Sequence, residues 1–79
     1  MQKVTKEIHP PQNNSYTELL RFYCQTSDID DPSLPFMASM WSYSIANDGG
    51  LTGRQQKAAD VYITHRLKQY NLTEVLNHE

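Results

Sequence analysis

Arg54-Gln55-Gln56-Lys57 is the stretch of this chain best equipped for chemistry at a surface. Arginine and lysine neutralise phosphates, arginine pairs bidentately with guanine, and glutamine does the same with adenine. In a helix–turn–helix motif such contacts come from the first turns of the reading helix. The run sits at that place, because Thr52-Gly53-Arg54-Gln55 has the spacing of a capping box. The same four residues have a plainer reading. They are good solvent-facing helix formers, and Gln55 is already claimed by its own cap. A solvated first turn is therefore favoured over a DNA-reading one.

A second set of side chains points to protein docking. Asp28, Asp30 and Asp31 crowd one loop, and the chain carries eight aromatic residues. A three-helix core of this size need not bury all eight, and tyrosine, tryptophan and arginine dominate binding hot spots. The expected docking face combines Phe22, Trp41 and Tyr43 with Asp28, Asp30 and Asp31. Phe22 lies off the apolar stripe of its helix, where it either widens the buried face or meets a partner, and it is the ring most expected to be exposed.

Other chemistry finds little support. His9, His65 and His78 stand at no metal-ligand spacing from a carboxylate or the one cysteine. Cys24 lies near a helix C-terminus, where the dipole opposes a thiolate. The aspartate loop lacks the turn glycine and the bidentate glutamate of a calcium loop. Gly49-Gly50 is followed by no lysine at phosphate-loop spacing. Neither an enzyme nor a cofactor or metal site is expected.

The elements that must position these residues read as helices. Ser15-Tyr16-Thr17-Glu18 is a capping box, and Tyr16, Leu19, Leu20 and Tyr23 follow at i, i+3, i+4, i+7. That helix should fade near Gln25. Ser33 is the expected cap of the second helix, with Pro35 in its first turn. Phe36, Met37, Met40, Trp41, Tyr43 and Ile45 make it apolar nearly all round, as in a central helix with several neighbours. Gly49-Gly50 should stop it. The third helix runs to about Tyr70 with Ala58, Ala59, Val61, Tyr62 and Leu67 facing inward or nearly so, and residues 72–76 either form a short final helix or fray. His9-Pro10-Pro11 and Gln12-Asn13-Asn14 suggest that residues 1–14 form a flexible arm, unless Val4 and Ile8 dock on the body. Residues 15–79 make a single all-α domain: a compact bundle of three main helices.

At 79 residues the chain is near the lower limit for independent folding, so a homodimer is compatible with it. Nine acidic and seven basic side chains leave it slightly negative. A general nucleic-acid binder is usually basic, so the balance favours a protein partner. No apolar run approaches a membrane span. The polar N-terminus and lone cysteine fit a cytoplasmic protein.

Phe36, Ser39, Gly50, Leu51-Thr52, Gln55 and Ala58-Ala59 together resemble a helix–turn–helix element of small bacteriophage proteins and of phage replication and recombination proteins. Arg54 supplies the basic residue usual before the glutamine. The resemblance covers about a third of the chain and brings no catalytic residue. It implies a phage-encoded accessory protein that modulates a larger host or viral machine, such as a host enzyme, a defence complex or a recombination factor. The alternative expectation is direct DNA binding through residues 35–70, with Arg54, Gln55, Gln56 and Lys57 as the reading side chains.

Overall fold

A computed structural model describes residues 9–77. Helix α1 spans Tyr16–Thr26, α2 spans Leu34–Ala46, α3 spans Gly53–Gln69, and a 3₁₀ turn covers Thr73–Asn77. No strand occurs among the described residues. The all-α, three-helix expectation holds.

The helix ends follow local chemistry, with two changes from expectation. At α3 the capping box is complete: Thr52 Oγ1 accepts from the Gln55 N–H at 3.1 Å, and Gln55 Oε1 accepts from the Thr52 N–H at 2.9 Å. Thr52→Ala should therefore cost about 1 kcal/mol, read as a lower melting temperature in thermal denaturation. An unchanged curve would mean that α3 does not depend on this cap. At α1 only half of the expected box forms. Ser15 Oγ accepts from Glu18, but the Ser15 N–H donates to Asn13 Oδ1 at 2.9 Å. The Glu18 carboxylate turns instead to the Gln12 N–H and to Arg21. Ser33 precedes α2 without a side-chain cap, because its hydroxyl is used elsewhere, as described below.

Helix α2 ends where the Gly49 N–H donates to the Ser44 carbonyl at 2.6 Å. The left-handed bend expected of the glycine pair is shared by Asp48, at φ 57°, and Gly49, at φ 87°. Asn71, also at φ 57°, ends α3. There Leu72 N–H bonds Leu67 O and Asn71 N–H bonds Lys68 O, the two bonds of a Schellman motif.

Leu19, Leu20, Phe22 and Tyr23 of α1 form one core with Met37 and Met40 of α2 and Ala59, Ile63 and Leu67 of α3. Three expectations are corrected here. Phe22 is buried at 1% exposure; it widens the buried face because α1 is covered by both other helices, and its ring meets Tyr70 edge-on at 5.3 Å. The central helix is thus α1. Apolar α2 is covered on one side and leaves Phe36, Tyr43 and Ile45 exposed. On α3 the inward stripe is Ala59, Ile63, Leu67, so Val61 faces solvent at 70% exposure and Tyr62 at 40%. The i, i+4, i+8 row meets α1, and Val61 falls on the far side of the helix.

Of the segment expected to be an arm, residues 1–8, with Val4 and Ile8, lie outside the described residues. Residues 9–14 run along α1. Pro11 is buried, and Arg21 donates to the His9 and Pro10 carbonyls at 3.3 and 3.1 Å. Arg21 also pairs with Glu18 at 3.0 Å. That pairing, with the Gln12 N–H, holds the Glu18 carboxyl below its ordinary pKa.

Candidate functional site

The loop between α1 and α2 is organised by one cation from α3. Arg66 Nη1 donates to the Tyr23 carbonyl at 3.2 Å, to Thr26 Oγ1 at 2.9 Å and to Ser27 Oγ at 3.0 Å. Its Nη2 reaches Asp31 Oδ2 at 3.3 Å, and the guanidinium lies 4.1 Å above the Tyr23 ring. Ser33 completes the cluster. Its hydroxyl and its N–H both donate to Asp31 Oδ1, at 2.7 and 2.9 Å, and the Tyr23 hydroxyl lies 2.7 Å from Ser33 Oγ. This is why the serine does not cap α2.

Ser33, donating from hydroxyl and backbone, holds the Asp31 carboxyl below the usual carboxylate range, and Arg66 adds to the effect. A carboxyl with a depressed folded-state pKa contributes stability above its unfolded pKa and loses it as pH falls through the folded value. The melting temperature should therefore drop on acidification below about pH 4, the unfolded aspartate range. Asp31→Asn should flatten that dependence. An identical acid profile in the variant would rule Asp31 out as its source.

Asp31 is thus a structural residue rather than a free docking group. Asp28 and Asp30 are exposed on the same loop, and Ile29 between them is 91% exposed. The loop leads directly into the turn of α2 that carries Phe36. Phe36 meets Tyr62 of α3 edge-on at 6.4 Å, and Tyr62 meets Tyr23 at 6.2 Å. Tyr43, two turns beyond Phe36 on the same side of α2, is 39% exposed. Trp41 is half-buried and packs against the core. The expected docking residues are therefore divided. Tyr43, Asp28 and Asp30 face solvent, Trp41 is half-buried, Phe22 is in the core, and Asp31 is engaged by Ser33 and Arg66.

Ile29, Phe36 and Tyr62 were not singled out from the sequence as surface residues. No local signal marks them: Ile29 lies in a loop, Tyr62 sits on α3 beside its buried row, and Phe36 belongs to a helix that is apolar nearly all round.

The four residues of the DNA-reading alternative also separate. Gln55 is spent on the cap, and Gln56 Nε2 donates to the Leu51 carbonyl at 3.1 Å. Arg54 and Lys57 remain exposed. Lys68, also exposed, shares their side of α3, and the three are the cations outside the ion pairs among the described residues.

Two polar links brace the frame behind these surfaces. Tyr16 donates to Asp60 at 2.8 Å, joining α1 to α3. Burial first, and then the Asp60 contact, push this phenol up to about 12. Thr17 Oγ1 donates to the buried Ser44 Oγ at 3.0 Å, and Ser44 donates to the Trp41 carbonyl at 2.8 Å. Burial pushes the Cys24 thiol up, against a smaller opposing effect of Arg66. No group of three histidine, cysteine or acidic side chains is placed to hold a metal among the described residues, which exclude His78. No helix of the described residues is long and apolar enough to cross a membrane. Comparison with protein-family models, curated proteins and solved structures returns no match to this chain.

Proposed function

We propose that this chain is a small phage-type accessory protein that works in the host cytoplasm by docking on a larger host or viral protein and modulating it. The observation that carries the reading is the exposed ring set Phe36, Tyr43 and Tyr62, at 47%, 39% and 40% exposure, placed beside the acidic loop. Aromatic anchors within a polar rim are the anatomy of a protein interface, and Asp28 and Asp30 supply the rim. The phage assignment rests on the helix–turn–helix resemblance of residues 36–62.

The test is affinity capture from host lysate treated with nuclease, comparing the parent chain with Phe36→Ala, Tyr43→Ala and Tyr62→Ala. Helix content is checked by circular dichroism. A partner retained by the parent and lost from folded ring variants supports the reading. Capture indifferent to all three overturns it.

A second reading is favoured by the grouping of Arg54, Lys57 and Lys68 on one side of α3. Here the protein binds duplex DNA through phosphates, since the glutamines are engaged. Binding should then weaken steeply with salt as counterions are released. Arg54→Glu with Lys57→Glu should abolish it.

A further inference from the structure

We propose that two copies of this chain dock reciprocally, the Asp28-Ile29-Asp30 tip of each seated on the cationic outer face of α3 of the other. On α3, Arg54, Lys57, Val61, His65 and Lys68 fall on one exposed side. Val61, 70% exposed, lines a shallow open depression with Asp60, Thr64, His65 and Lys68. The face is thus an apolar spot within a cationic rim. Asp60 is the acid at its edge, and its Oδ1 accepts from Tyr16 of α1.

The tip is its complement in charge and in its exposed apolar centre. Ile29 projects at 91% exposure between two exposed carboxylates. An isoleucine seated over Val61 would place Asp28 and Asp30 among Lys57, Lys68 and Arg54, so apolar burial and charge pairing favour the same arrangement. The tip cannot reach the α3 face of its own chain. Arg66 holds the loop, through Asp31 and the Tyr23, Thr26 and Ser27 oxygens, against a different side of that helix. The contact must therefore be made between copies. A contact between two different patches closes as a dimer only when a two-fold relates the copies, and in that arrangement it forms twice.

A duplex would use the lysines and arginine but not Ile29 or Val61, and it would repel the acidic tip. This makes the second copy the better fit. This contact shares Asp28 and Asp30 with the aromatic docking surface but uses none of its rings, and it is read from the mass of the purified chain rather than from partner capture.

Sedimentation equilibrium of the purified full chain tests it. At low salt the mass should rise with concentration toward twice that of one chain. It should return to one at about 1 M salt, where the screening length is roughly 3 Å. Asp28→Lys with Asp30→Lys, and separately Lys57→Glu with Lys68→Glu, should each weaken self-association at least about tenfold. All four positions are exposed, and circular dichroism verifies that the variants are folded. An equimolar mixture of the two variants restores both contacts, one with its charges exchanged and one as in the parent, so the dimer should reappear only in the mixture. Ile29→Ser should weaken the dimer without altering its salt dependence. A chain that stays single at low salt overturns the proposal, as does self-association indifferent to the reversals, or a mixture that fails to recover it.

Discussion

Phe22→Ala is expected to remove a large part of the stability of this domain. The ring is 1% exposed and packs edge-on against Tyr70 at 5.3 Å. Truncating a buried phenylalanine costs about 3–5 kcal/mol, through lost transfer energy and the cavity left behind. A domain of this length has roughly 4–12 kcal/mol in total at the usual stability per residue. The melting temperature should fall by roughly 15 °C or more, and Phe22→Leu should lose clearly less. Thermal unfolding followed by circular dichroism reads both. A melt matching the parent would mean that the ring is at the surface. Loss of a partner by Phe22→Ala would report unfolding, so the exposed rings Phe36, Tyr43 and Tyr62 are the informative binding variants.

Arg66→Ala should have the next largest effect, about 2–3 kcal/mol, as expected when a charged donor leaves several acceptors at once. Its guanidinium serves the Tyr23 carbonyl, Thr26, Ser27 and Asp31, and covers the Tyr23 ring. Arg66→Lys should recover only part of the loss, since an ammonium cannot reproduce the planar fork of donors. The melting temperature should fall by roughly 10 °C. Residues 27–33 should also lose protection against amide hydrogen exchange, because the loop has no comparable anchor. Unchanged exchange in that loop would show that Arg66 does not organise it.

The outcome for Arg66 also bears on what a linear reading can find. Nothing in the sequence around Arg66 marks it as an organising residue. Its partners are 35 to 43 positions away, and nothing local signals such contacts. Helix positions were legible because their causes are local. Thr52 and Gln55 cap one another across three residues, Pro35 fits a first turn, and the Asp48–Gly49 region accepts left-handed backbone. The all-α class and the three-helix count follow from such short-range chemistry together with the 3.6-residue period of the apolar side chains.

Which face of each helix is buried was decided at longer range. Leu19, Leu20 and Tyr23 carry the expected stripe, but covering α1 from two sides drew in Phe22 as well. Apolar periodicity places a side chain on a helix without saying how many neighbours that helix has. For the same reason α2, uniformly apolar, could not reveal that Phe36 and Tyr43 would be left at the surface. Charge was ambiguous in the same way. Asp28, Asp30 and Asp31 look alike in sequence, and only the approach of Arg66 and Ser33 separates the anchored Asp31 from its two exposed neighbours. By itself the sequence determined where the helices lie, since the signals that start and stop them act within a few residues, although Ser33 was drawn from its cap by Asp31 and Tyr23. The tertiary structure alone decided which rings and charges remain available to a partner, because burial and ion pairing depend on the elements that arrive from elsewhere in the chain.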